Sequence, residues 1–208
     1  MARVFRFVLG SLVVAVIVGL PLGYASYRGT HFRNFHAVKP GVLYRSGQMS
    51  LTGLERVTHD HGIRTVVTLR DADIEGERPP DWAEEEFCRK LDLRYVRIRP
   101  QRWWSPTGGE VPAEAGVKRF LAVMDDPANY PVLVHCFAGI HRTGAMVAIY
   151  RMEYDRWPTA QALDELRACG YRNLDDEWDV LGYLEQYRPR WWGKLLAGEA
   201  AGAAEPGR

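Results

Sequence analysis

The stretch Pro131-Val132-Leu133-Val134-His135-Cys136-Phe137-Ala138-Gly139-Ile140-His141-Arg142-Thr143-Gly144-Ala145-Met146-Val147-Ala148-Ile149-Tyr150-Arg151-Met152 joins two apolar segments through a short loop. Its first part, Pro131 to Val134, predicts a buried strand, and its last, Ala145 to Met152, predicts a buried helix. The chain therefore leaves a strand, turns through a loop that starts at Cys136, and enters a helix at Arg142. Such a loop can direct successive backbone N–H groups inward as an anion-binding nest, with the positive end of the helix dipole behind it. A cysteine at the floor of the nest is held as thiolate, because helix N-termini and nearby cations lower a thiol pKa from about 8.5 to roughly 3.5–7.5. Arg142 adds a planar fork suited to two phosphate oxygens. A nucleophilic sulfur, a phosphate cradle and a bidentate clamp imply phosphoryl transfer through a cysteinyl-phosphate. The competing reading is an inert core thiol, since free Cys is among the most buried residue types. That reading leaves Arg142 and the loop glycines without a purpose.

A Cys and an Arg six positions apart are a weak signal alone. The preceding strand, His135 beside the sulfur, Gly139 within the loop, Thr143-Gly144 and the following helix make it a strong one. The segment resembles the signature loop of the protein tyrosine and dual-specificity phosphatase superfamily, His-Cys-x-x-Gly-x-x-Arg-Thr-Gly. The resemblance implies Cys136 as nucleophile, Arg142 as the ligand of the phosphoryl oxygens, and Thr143 as the hydroxyl that helps the thiolate leave when water attacks. It makes His135 the residue that orients the loop and places Phe137, Ala138, Gly139 and Ile140 against substrate. It implies no metal and no cofactor. Further matches, Tyr44-Arg45-Ser46-Gly47-Gln48, Val67-Thr68-Leu69-Arg70, Tyr150-Arg151, Trp157, Ala162, Glu165 and Gly170-Tyr171, look like the bacterial dual-specificity-like branch. Together they cover about residues 40–190. Arg45, Ser46 and Gln48 either line the mouth of the site or cap a strand.

An alkoxide or phenolate leaving group needs an acid, and a positioned one is worth typically 10²–10⁴ in rate. Much of the superfamily uses an Asp some thirty residues before the nucleophile; here that interval holds Gln101-Arg102-Trp103-Trp104 and no Asp. His141, just before Arg142, is one substitute, since an unperturbed pKa near 6.5 suits donation at neutral pH. Glu110, ahead of the Pro112 helix, is another, and Asp71 or Asp73 is a third. The plain alternatives are that His141 only completes the nest and that Glu110 caps a helix. Neutral Phe137, Ala138 and Ile140 favour phosphotyrosine or another monoester over polyphosphorylated inositols. Arg45, Arg99 and Arg102 keep an inositol phosphate or phosphoinositide substrate open. Trp103 and Trp104 either flank an aromatic phosphoester or pack, and Trp178 and Tyr183 are read as core. A phosphate-binding pseudophosphatase is the rival from outside enzymology.

Composition sets the frame. The chain has 208 residues, 47% apolar and 25% charged, which suits one soluble domain with additions. A net charge of +1, with no basic stripe and no zinc spacing, argues against a nucleic-acid partner. Three cysteines form no disulfide framework, so Cys88 and Cys169 are read as core fillers. Val8 to Ala25 is apolar, flanked by Arg3, Arg6 and Arg28, at the short end of the about 20 residues a membrane span requires. It is read as a single-pass membrane anchor. Gly23-Tyr24-Ala25 also has the form of a signal-cleavage site, which would give a secreted or periplasmic chain, and a buried soluble helix is the third possibility.

Downstream, residues 28–39 are expected as a linker, 40–190 as the phosphatase domain and 191–208 as a flexible tail. Thr52-Gly53-Leu54-Glu55 has capping-box spacing for a helix ending near His61-Gly62. Helices are also expected from Pro79-Pro80, with Trp82, Phe87 and Leu91 on one face, and over Pro112–Met124, Thr159–Cys169 and Glu177–Tyr187. Strands are expected at Val42–Tyr44, Thr65–Leu69 and Leu93–Ile98 besides the one before Cys136. Alternating strands and helices predict an α/β three-layer sandwich around a mainly parallel sheet, with ligands beyond the strands' C-terminal ends.

Overall fold

The structure, a computed structural model, describes residues 2–193. Most of the expected tail lies outside the described residues. Five strands build one sheet: β1 (His36–Lys39), β2 (Leu43–Ser46), β3 (Thr65–Thr68), β4 (Arg94–Arg97) and β5 (Val132–His135). Their spatial order is β1-β2-β5-β3-β4, with β1 antiparallel to β2 and every other pairing parallel. The helices are α1 (Ala2–His31), α2 (Leu51–His61), α3 (Trp82–Lys90), α4 (Ala113–Met124), α5 (His141–Tyr154), α6 (Thr159–Ala168) and α7 (Trp178–Gln186).

β5 occupies the centre, and all four of its residues are buried. A strand covered on both faces reads as a continuous apolar run rather than an alternation, which makes it legible in sequence. Its side chains still alternate in direction. Val132 and Val134 join Leu43 and Val67 in a core with α4, α5, α6 and α7, whereas Leu133 joins Tyr44 and Val66 in a core with α2 and α3. This is the three-layer sandwich. α5 lies in the larger core, with an unbroken run of buried residues from Thr143 to Tyr150.

Three local expectations are corrected. α2 starts earlier than the Thr52 box: Ser50 is its N-cap, accepting from Gly53 N at 3.1 Å, and Gly62 ends it at φ 63°. α3 does not bury an apolar stripe, since Trp82 and Leu91 are exposed and the buried residues are Glu84 and Cys88. Trp178 is 66% exposed rather than core, while Tyr183 packs partly buried against the larger core.

Residues 28–39 are not a linker. α1 runs to His31, a tight turn follows, and β1 starts at His36. Lys39-Pro40-Gly41-Val42 closes the β1–β2 hairpin, with Val42 N donating to Lys39 O at 3.0 Å and Gly41 at φ 76°, the arrangement Pro-Gly favours in a type II turn. The end of α1 is seated on α2, where a Cβ on residue 53 would lie 1.9 Å from the His31 carbonyl oxygen; only glycine fits there. The apolar side chains from Leu12 to Leu22 are exposed, and α1 contains the one stretch among the described residues, Leu12–His31, long and apolar enough to cross a membrane.

Candidate active site

The loop from Cys136 to Ile140 leaves the C-terminal end of β5, where a parallel sheet presents its ligand sites. It runs straight into α5, whose first turn has no side-chain cap. The orphan N–H groups of that turn and the helix dipole therefore face an incoming anion. Gly139 is held at φ 76°, and a Cβ on it would sit 2.3 Å from Gly47 N and 2.5 Å from the Ser46 carbonyl carbon. Gly47 is equally confined, since its Cβ would meet Ala138 O at 2.7 Å. The two backbones lie against one another with no room for side chains.

Carbonyl groups on the outside of the loop are tied down one after another. Phe137 O accepts from Gln48 N at 2.9 Å, Ala138 O from Asn34 Nδ2 at 2.8 Å, and Gly139 O from an Arg45 guanidinium nitrogen at 2.8 Å. A trans peptide is planar, with its C=O and N–H on opposite sides. Tying three carbonyls outward thus turns the N–H groups of Ala138, Gly139 and Ile140 inward. Gly139 N donates to Cys136 Sγ at 3.2 Å. The loop thus has the form an anion-binding nest requires, and Arg45 and Gln48 contact it from its carbonyl side rather than at its mouth.

Cys136 is 4% exposed. Burial pushes its thiol up, but the Thr143 hydroxyl and amide, the Gly139 amide and the charge on His135 together hold it below the ordinary thiol range. The Thr143 hydroxyl is itself buried and has no partner elsewhere. His135 is fully buried behind the sulfur, its Nε2 at 2.6 Å from Glu84 Oε1. Burial opposes charging of the imidazole; the Glu84 carboxylate, with help from the Cys136 carbonyl and Asp81, more than offsets this and raises its pKa.

Glu84 in turn accepts from Gln48 Nε2 at 2.5 Å and from the Tyr95 hydroxyl at 3.1 Å, and Gln48 Oε1 accepts from Arg70 at 3.0 Å. Asp81 accepts from Thr68, Tyr95 and Arg97. Burial pushes Asp81 up, but the Thr68 and Arg97 hydrogen bonds and the Arg97 charge leave it below the usual carboxylate range. Asp81, Glu84 and His135 bring ligand atoms within 4.8 Å of one another, the spacing of a metal cluster. Each carboxylate already accepts from several of these neighbours, and Arg97 supplies positive charge beside Asp81, so the donor set suits an ion-pair network. Sequence spacing gives no sign of Asp81, Glu84 or Asn34, because each meets its partners from a distant element: Asp81 meets Thr68, Tyr95 and Arg97, Glu84 meets His135, and Asn34 meets the loop carbonyl of Ala138.

At the mouth, Arg142 donates to Leu69 O at 3.4 Å and lines two clefts. The larger, about 330 Å³, is also lined by Asp71, Asp73, Arg70, Arg78 and Phe137. Phe137 is 55% exposed, with the Arg33 and Arg70 guanidinium carbons 4.4 and 5.1 Å from its ring centroid. Neither Glu110 nor His141 is among the described residues lining these clefts. Glu110 is exposed and paired with Lys118 at 2.8 Å, a hydrogen bond that holds its carboxyl below the usual range. His141 is the first residue of α5, with its ring edge-on to Tyr171 at 4.5 Å. Trp103 packs on Tyr183 and Trp104 on Trp178, and Trp103 also lines the smaller cleft beside Arg142. All three cysteines are free, Cys88 buried and Cys169 partly exposed.

Residues 30–178 match the family described as a dual-specificity-type protein tyrosine phosphatase fused to NAD+ kinase. The chain is 39% identical over 192 residues to the dual specificity protein phosphatase TpbA of Pseudomonas aeruginosa, covering 86% of this chain and 78% of that protein. It is 33% identical over 132 residues to the inositol diphosphatase DSP1 of Oryza sativa, covering 64% of this chain and 54% of the rice protein. A structure of P. aeruginosa TpbA with phosphotyrosine superposes with a TM-score of 0.59 over 80% of this chain and 91% of that one, pairing residues at 21% identity. With its Cys loop, its sheet order and these relatives in agreement, the chain belongs to the dual-specificity family of protein tyrosine phosphatases, hydrolases of phosphomonoesters.

Proposed function

We propose that Cys136 is the nucleophile of this phosphatase, that Arg142 clamps the phosphoryl group, and that Thr143 assists release of the sulfur. The observation that carries this reading is the setting of Sγ, at the floor of a loop whose amides converge on it and whose thiol is held below its ordinary range. The thiolate attacks phosphorus as the bond to the ester oxygen breaks, and the leaving oxygen takes a proton. Water then attacks the cysteinyl-phosphate, inorganic phosphate departs, and sulfur returns as thiolate. The buried Thr143 hydroxyl donates to the departing sulfur in that second step. In both steps the inward amides and the Arg142 fork stabilise charge on the equatorial oxygens, which together with positioning is what phosphoryl transfer chiefly asks of a protein.

The proton donor is assigned to Asp73 or Asp71, residues that line the cleft with Arg142 and Phe137, Asp71 having its carboxylate 3.8 Å from Arg99 Nε. Glu110, engaged by Lys118, and His141, packed on Tyr171, are less favourably placed. The preferred substrate is phosphotyrosine in a protein. An exposed aromatic ring at the mouth and a loop without cationic side chains at 137, 138 and 140 support it, as does the likeness to TpbA, a dual specificity protein phosphatase. One observation favours a second substrate class, inositol phosphates: Arg33, Arg70 and Arg78 gather at the mouth with Arg142, and the rice relative is named an inositol diphosphatase. α1 serves as a single-pass anchor, with signal cleavage as the competing outcome.

The test is hydrolysis of para-nitrophenyl phosphate, an alkyl phosphate, a phosphotyrosine peptide and inositol hexakisphosphate by the full chain. Chelator-insensitive, vanadate-inhibited turnover that vanishes in Cys136→Ser is expected. Asp71→Asn or Asp73→Asn should slow the alkyl ester more than the aryl one, by about 10²-fold. An equally active Cys136→Ser overturns the nucleophile, and faster turnover of the inositol phosphate replaces the first substrate class by the second.

A further inference from the structure

Of the three carbonyl ties outside the catalytic loop, two come from β2 or the residues just after it, next to β5 in the sheet. The third comes from outside that strand, from the turn at the end of α1. Asn34, in the turn that follows α1, donates from Nδ2 to Ala138 O at 2.8 Å. This is the peptide whose other edge, Gly139 N–H, points at Cys136 Sγ at 3.2 Å. Because the peptide is planar, whatever fixes the Ala138 carbonyl also aims the Gly139 N–H.

Asn34 is itself held from both sides. Its φ of 46° is left-handed, a region that asparagine tolerates better than most residues. The preceding carbonyl, Arg33 O, accepts from Gly47 N at 2.7 Å, and Thr30 O accepts from Ser50 N at 3.1 Å. Behind these, α1 is seated on Gly53 with no space for a side chain. The amide is thus presented by a turn that is anchored to the same residues that touch the loop.

We infer that Asn34 is a positioning residue for phosphoryl transfer: it locks the Ala138–Gly139 peptide so that the Gly139 N–H serves first the thiolate and then the phosphoryl oxygens, an inference that rests on Cys136 being the nucleophile. The end of α1 is thereby part of the apparatus that shapes the anion cradle. Were Asn34 only a staple joining α1 to the domain, its loss would change stability and leave the thiol untouched.

Two variants of the full chain separate these roles. Asn34→Asp keeps size and tolerance of positive φ but replaces the donor with a carboxylate facing the carbonyl. Asn34→Gly keeps the backbone and removes the amide. The readout is alkylation of Cys136 by iodoacetamide against pH, followed on the Cys136 peptide, with kcat and KM for para-nitrophenyl phosphate. In Asn34→Asp the alkylation midpoint is expected to rise by about one pH unit, the scale of one lost hydrogen bond to a charged group. Turnover should fall by about tenfold or more in kcat with a smaller change in KM, as for loss of an oriented oxyanion donor. Asn34→Gly should move both in the same direction by less. A wild-type midpoint and kcat in either folded variant, whatever its melting temperature, overturns the inference; if Asn34→Asp does not fold, Asn34→Gly decides by the same criterion. Alkylation needs no turnover, so a wild-type chain that hydrolyses nothing sinks the phosphatase mechanism while still leaving the role of Asn34 to be judged.

Discussion

At Gly139 two independent constraints meet: a left-handed backbone and the absence of space for a Cβ, which would lie 2.3 Å from Gly47 N. Gly41 shares the positive φ of 76° but has nothing within 4 Å of a built Cβ. The two glycines therefore separate backbone strain from steric exclusion. Gly41→Ala is expected to lose about 1–2 kcal/mol of stability, the cost of a left-handed alanine, with kcat unchanged. Gly139→Ala must move the loop backbone, because the obstacle is main chain and no rotamer relieves it. Vanadate binding and hydrolysis should fall by about 10²-fold or more, as when oxyanion donors are lost. Titration of vanadate against both variants checks this, and a Gly139→Ala chain that binds like wild type would show the cradle to be softer than its geometry indicates.

α3 is the element whose inward face sequence patterning does not reveal. That face carries Glu84, a charged residue only 3% exposed, because His135 at the end of β5 supplies the matching charge. Removing one member of such a pair leaves the other buried and uncompensated, at a cost of about 3–5 kcal/mol, so Glu84→Ala should be among the most destabilising changes outside the hydrocarbon core. The pair also sets a pH dependence. His135 has a folded pKa raised above its unfolded value near 6.5, so its share of stability is complete below that pH and is lost as pH rises through the folded value. Cys136 titrates with the opposite sign: its depressed pKa gives stability present above the unfolded thiol value and lost as pH falls through the folded one. Urea unfolding in a Cys136→Ser background isolates the histidine. There stability is expected to decline with rising pH above 6.5, and Glu84→Ala in the same background should flatten that decline; an unchanged slope would place the charge elsewhere.

For the molecule as a whole, α1 is continuous from its apolar stretch into the turn that touches the Cys136 loop. A 20-residue helical span is about 30 Å long at 1.5 Å per residue, the thickness of a bilayer's hydrocarbon core. As an anchor, α1 is expected to keep the full chain in the membrane fraction through an alkaline carbonate wash, with detergent required for release. A soluble product whose N-terminal sequence starts at Ser26 would instead mark a cleaved signal, and would still retain Thr30 to Asn34. Much of this molecule is legible in the linear chain. The Cys136-to-Gly144 segment is readable because the proposed phosphoryl chemistry asks for a thiol, a glycine that lets backbones meet and an arginine at short fixed spacing, and β5 and α5 because full burial leaves unbroken apolar runs. The segment from 28 to 39 looks like a linker in sequence because its order comes from docking on α2 and pairing with β2, not from local propensity. Glu84, Asp81, Arg45 and Asn34 are mute for the same reason: each acts across a gap of tens of residues, and a hydrogen bond of that kind has no period in sequence. The chain by itself determined the chemistry, since phosphate, thiolate and guanidinium are matched by residue type within one loop; the tertiary structure alone decided which distant side chains hold that loop open, because only folding brings their donors and charges within reach.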